Sequence, residues 1–79
     1  MDNTEIYEII KINKDSPLPE ADQLSKQLIW LIADGVIREG EKLPTIRMFA
    51  RYLNIHHHTV RAAYHKLEQK ALVSIKPRI

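Results

Sequence analysis

Apolar side chains recur along this chain at helical spacing in three places. Ile46, Phe49, Ala50 and Leu53 fall at i, i+3, i+4 and i+7, the single stripe of an amphipathic helix. Val60, Ala63, Tyr64 and Leu67 repeat those offsets fourteen residues later. Between the two stripes stands Asn54-Ile55, and Asn tolerates the left-handed backbone that stops a helix. The pattern predicts one helix over about 46–53, with Thr45 as its N-cap, and another from His56 or His57 to about Lys70. Two short, matched helices separated by so tight a turn predict a helix-turn-helix. Small Ala50 and Ala63 would let the pair approach closely.

The third stripe lies upstream. Leu24, Leu28, Leu31 and Ile32 share one face of a helix expected over 20–34. Glu20 and Asp22 complement the dipole in its first turn, and Gly35 supplies the stop. Trp30 falls beside the stripe and is expected at the edge of the core, with a dimer contact as the alternative. Ahead of this helix, the two prolines of Asp15-Ser16-Pro17-Leu18-Pro19 mark a linker. Residues 9–13, in which Ile10 and Ile12 flank Lys11, predict a short strand, although Ile6, Ile9 and Ile10 would also suit a helical turn. Residues 1–8 are expected to fray. Residues 36–42 form a connector with a turn at Gly40. Leu72, Val73 and Ile75 alternate with Ser74 as a closing strand, and the chain stops at Ile79 where a hairpin turn would follow. The expected fold is mainly α with a small β component, three helices plus short strands.

Composition narrows the classes. Seventy-nine residues make one domain, 1–79, with a modest core, and 44% apolar content is ordinary for a globular chain. With no cysteine there is neither a disulfide framework nor a thiolate metal site. No apolar run approaches the roughly 20 residues of a membrane span, so a soluble cytoplasmic protein is the default expectation. Charge is informative once divided. Residues 1–37 hold three Lys/Arg against seven Asp/Glu, a balance of −4, whereas 38–79 hold nine against three, a balance of +6. The basic surplus thus sits on the helix-turn-helix, where phosphate neutralisation would place it. Enzyme classes find no support, since no paired carboxylates share a helical face and there is no Ser/His/Asp ordering or glycine-rich phosphate loop. An alternative non-enzyme class is a protein-interaction module whose basic helix binds an acidic partner.

Over residues 12–73 the chain resembles the N-terminal winged helix-turn-helix domain of the GntR family of bacterial transcription regulators. The family's glycines followed by Leu-Pro-Ser-x-Arg-x-Leu-Ala are similar to Gly35, Gly40 and Leu43-Pro44-Thr45-Ile46-Arg47-Met48-Phe49-Ala50. Its Leu-Gly-Val-Ser-Arg-x-Thr-Val resembles Leu53-Asn54-Ile55-His56-His57-His58-Thr59-Val60, and its Leu-x-x-x-Gly-Leu-Val resembles Leu67 through Val73. Three departures stand out. His56-His57 replaces Ser-Arg, Asn54 replaces the turn glycine, and Lys70-Ala71 stands where glycine is common. The wing is cut short at Ile79, and no segment of the 79 residues supplies the effector-binding or dimerising domain that family members normally add.

The resemblance implies a second helix lying in the major groove of double-stranded DNA, with its opening residues on base edges. Carried across by position, the expected contacts are Arg47, His56, His57, His58, Thr59 and Arg61. Arg61 can contact guanine with two parallel hydrogen bonds. Thr45 and Thr59 can donate to phosphate, and Lys42, Arg51, Lys66, Lys76 and Arg78 are candidate backbone clamps. A two-fold operator implies a palindromic site and a homodimer. No cofactor is expected. Consecutive helical residues point about 100° apart, so His56, His57 and His58 are not expected to share a metal ion while helical.

Overall fold

The computed structural model describes residues 6, 8–38 and 42–70. Three helices carry the architecture: α1 spans Glu20–Ala33, α2 Ile46–Leu53 and α3 His57–Gln69. Both α1 and α2 pack against α3, which is therefore the common partner of the other two. Every apolar position anticipated for α3 is buried: Val60, Ala63, Tyr64 and Leu67 all face inward. From α2 come Phe49 and Ala50, with Ile46 and Leu53 half-buried at the margin. From α1 come Leu24 and Leu28, while Leu31 and Ile32, expected in the same stripe, only flank the core.

The helix ends follow from local chemistry. Thr45 caps α2, its hydroxyl oxygen accepting from the Met48 N–H at 3.2 Å. At the other end Asn54 adopts φ 57°, ψ 48°, the left-handed conformation its amide side chain tolerates. The Asn54 N–H then donates to the Arg51 carbonyl and the Ile55 N–H to the Ala50 carbonyl, the paired bonds of a Schellman turn. Gly35, at φ 79°, closes α1 in the same way, with the Gly35 and Val36 N–H groups reaching back to Ile32 and Leu31. These two left-handed residues are what lets three short helices turn back on one another.

The amino-terminal segment corrects two expectations. Residues 6, 8 and 9 are helical, the Ile10 N–H donates to the Ile6 carbonyl at 3.1 Å, and Ile6 and Ile10 are wholly buried. Ile6 is thus a core residue and not part of a frayed start. No strand forms over 9–13. The backbone of that segment pairs instead with two side-chain amides of α1, one turn apart. Gln27 accepts from the Lys11 N–H at 3.0 Å and donates to the Lys11 carbonyl at 2.6 Å. Gln23 accepts from the Asn13 N–H at 2.8 Å and donates to the carbonyls of Asn13 and Leu18 at 3.0 and 2.8 Å. Alternate residues 11 and 13 present their backbone groups to one side, as a strand would, and a ladder of glutamines takes the place of a partner strand.

Other pieces seal the core from the connectors. Ile37, expected only as part of a linker, is buried, and Pro44 is fully enclosed. The Tyr64 hydroxyl donates to the Pro44 carbonyl at 2.6 Å, a buried bond tying α3 to the approach of α2. Lys14 Nζ donates to the Asn54 carbonyl at 2.5 Å, bringing a cation to the C-terminal end of α2. Trp30, expected at the core edge, is 62% exposed. Position 30 lies off the Leu24–Leu28 line that enters the core. No strand occurs among the described residues. The strand expected over 72–75, the wing, and candidate clamps Lys76 and Arg78 lie outside them.

Candidate nucleic-acid interface

Because α3 hides its aliphatic side, its remaining positions are displayed. His57, His58, Arg61, Ala62, His65 and Gln69 are exposed, and Thr59 is half-buried. The helix begins at His56, whose backbone is extended at φ −70°, ψ 144° and whose ring caps it: Nδ1 accepts from the His58 N–H at 3.1 Å. A histidine thus performs the task usually given to Ser, Thr, Asp or Asn. It also fixes the ring beside the first turn.

The three histidine rings close on one another. Their centroids form a triangle with sides of 4.2, 4.5 and 4.8 Å. His56 stands outside the helix as its extended N-cap, so the 100° rule does not separate its ring from the other two, while His57 and His58 are both helical and their rings still approach to 4.2 Å. Partial desolvation among its neighbours, reinforced by the positive charge of His58, His56, Arg61 and Arg47, holds the His57 pKa below the ordinary histidine value. At neutral pH His57 is therefore an uncharged imidazole, a donor and an acceptor of single hydrogen bonds.

Arg47 and Arg61 come from different helices, yet the charge of each reaches His57. Both guanidinium groups are exposed, and among the described residues neither has a carboxylate partner. Arg51 in the last turn of α2 is likewise exposed, as are Met48 and Tyr52. Thr45 is exposed at the head of α2, its oxygen engaged as a cap acceptor and its hydroxyl hydrogen still able to donate.

One expected contact stands apart. Lys66 lies nine residues beyond His57, and its Nζ pairs with Asp22 of α1 at 2.9 Å. Lys66 is thus turned toward α1, away from the cluster of His56, His57, His58, Arg47 and Arg61. His65, further along the open face, lies 3.8 Å from Glu68. Residue-type reasoning passed over Ala62, whose signal was available in the helical projection: a small apolar side chain on an otherwise polar face. There it leaves a flat step beside Arg61 for close approach. Gln23 and Gln27 were also missed as organising residues, since nothing in a helical stripe marks a glutamine that bonds to a remote backbone.

The resulting surface is a helix N-terminus with three exposed histidine rings, a small residue and two exposed arginines that have no carboxylate partner among the described residues. Comparisons with known proteins agree with it. Residues 17–79 match the family model described as bacterial regulatory proteins, gntR family. The chain is 32% identical over 74 residues to the HTH-type transcriptional regulator Rv1152 of Mycobacterium tuberculosis, covering 94% of this chain and 61% of that protein. It is 31% identical over 65 residues to the HTH-type transcriptional repressor YtrA of Bacillus subtilis, covering 82% of this chain and 50% of that one. The chain therefore spans about half to three fifths of the length of these curated relatives. Among solved structures, YtrA from Sulfolobus acidocaldarius, a GntR-family transcription factor, superposes with a TM-score of 0.83 at 38% identity over 89% of this chain and 74% of that one. Fold, exposed face and sequence agree that the chain belongs to the gntR family of bacterial regulatory proteins and carries its helix-turn-helix DNA-binding domain.

Proposed function

We propose that this domain serves a cytoplasmic transcription repressor by inserting the N-terminal half of α3 into the major groove of a palindromic operator. The observation that carries the reading is the division of α3. Its aliphatic side is wholly committed to the core, while Arg61, His57 and His58 stand exposed at the end a groove-bound helix presents. In this reading Arg61 contacts guanine through two parallel hydrogen bonds, and His57 and His58 make single hydrogen bonds to base edges. Arg47 and Thr45 grip phosphate from α2, and Thr59 adds a hydroxyl close to the backbone. The dipole of α3 favours an anion at the same end. Lys66, bound to Asp22, contributes to the fold.

Repression is supported by the printed name of the Bacillus relative, and homodimer formation by the symmetry of operators of this kind. The exposed Trp30 indole is compatible with the dimer alternative weighed from the sequence. A location in the cytoplasm follows from the substrate, and no helix among the described residues is long and apolar enough to cross a membrane. Selection of bound duplexes from a random pool tests the reading. An enriched inverted repeat, with half-sites about one helical turn apart, is expected. A pool that stays random at physiological salt, with binding lost uniformly as salt rises, would show a non-specific basic surface instead.

A further inference from the structure

The histidines that open α3 form a cluster which base reading alone does not call for. Side chains that read a groove spread toward separate base edges. Here one ligating nitrogen from each of His56, His57 and His58 lies within 4.8 Å of the others, and all three residues are exposed. Three imidazoles around a divalent ion with metal–nitrogen bonds of about 2.0–2.1 Å need their nitrogens roughly 3.4 Å apart. Rotation of exposed side chains covers that difference with no movement of the helix axis. We propose that His56, His57 and His58 form a binding site for a divalent transition-metal ion that prefers imidazole nitrogen.

The chemistry of the donor set selects the ion. Three imidazoles with no carboxylate and no thiolate suit zinc, copper or nickel, and offer nothing to magnesium or calcium, which need oxygen ligands. Arg47 and Arg61 oppose a cation at this position, as does the positive end of the α3 dipole. Only ions with strong nitrogen affinity overcome that field. Binding also reaches into the fold. The lone pair of His56 Nδ1 currently accepts from the His58 N–H, so an ion that takes this nitrogen removes the cap of α3. An occupied site therefore engages the rings proposed to face DNA, and where the ion takes His56 Nδ1 it also loosens the first turn that presents them. Metal and duplex should exclude one another, a consequence that rests on the interface proposed above.

The test is a Zn²⁺ titration of the chelator-stripped full chain, followed by calorimetry and by the histidine ring resonances in NMR. One ion per chain is expected, shifting the rings of His56, His57 and His58 but not that of His65. Affinity should fall about tenfold or more in His57→Ala and His58→Ala. His56→Asn should show the same loss while keeping a side-chain oxygen to cap α3, so that unfolding cannot account for it. His65→Ala should bind as the parent does, and Mg²⁺ should not bind at all. Absence of saturable Zn²⁺ binding, or an equal loss in His65→Ala, would overturn the site. With operator duplex present, Zn²⁺ should weaken DNA binding by the parent and leave His56→Asn unaffected. If the metal-free protein binds no duplex, the interface fails, while the titration without DNA still decides the ion site.

Discussion

Single residues set the geometry on which recognition depends, and Asn54 is the clearest case. At φ 57° it carries the cost of a left-handed backbone, about 1–2 kcal/mol for an ordinary side chain and less for Asn. Asn54→Ala should therefore destabilise the domain by about 1 kcal/mol, and Asn54→Gly should leave it unchanged or slightly more stable, as denaturant midpoints would show. Equal losses in both would mean that the Asn side chain itself holds the turn. Tyr64 gives a second test. Removing its hydroxyl in Tyr64→Phe leaves the buried Pro44 carbonyl without its donor and should cost about 1–3 kcal/mol. The residue positions were legible in the sequence where a local rule governs them: Thr45 as a cap, Asn54 as a stop, Gly35 as another. They were not legible where the partner is distant. Nothing local announces that Tyr64 reaches Pro44 or that Lys14 reaches Asn54, and the cap by His56, though local, is hidden because histidine is not among the usual capping residues.

At the scale of elements, the stripes of α2 and α3 were read correctly because a helix of two to four turns leaves few ways to bury four apolar residues. The segment 9–13 was misread for an equally physical reason. Alternating isoleucines report an extended backbone with one side buried, but they do not say what satisfies its N–H and carbonyl groups. In this protein Gln23 and Gln27 do so. Gln23→Leu should preserve the helix yet leave the backbone of Asn13 unpaired, costing about 2–3 kcal/mol and exposing the Asn13 amide to hydrogen exchange. Slow exchange at Asn13 in that variant would mean that the glutamine ladder is incidental. The pairing of Lys66 with Asp22 joins α3 to α1 across a half-exposed surface. Lys66→Ala should cost under about 1 kcal/mol and change duplex affinity by less than about twofold. A larger loss, equal for every duplex, would return Lys66 to the set of phosphate contacts.

The whole molecule shows how a modest core fixes a recognition surface. Helix α3 is the element that both other helices pack against, so its orientation is determined from two sides, and what remains uncovered is the face with His57, His58 and Arg61. Charge segregation along the sequence anticipated this arrangement, since the acidic half supplies α1 and the basic half supplies α2 and α3. The sequence did not reveal that the charges of Arg47 and Arg61 both reach His57, because that depends on how α2 crosses α3. The proposed recognition turns on Arg61 reading a base instead of merely adding positive charge. It is tested most directly by measuring, for the parent and Arg61→Ala, affinities for a selected operator, for single-base variants of it and for an unrelated duplex at one salt concentration. A loss of about 1–3 kcal/mol on the operator is expected, with a much smaller loss on the unrelated duplex and no remaining preference at one base pair. An equal loss on every duplex, with base preference intact at all positions, would contradict it.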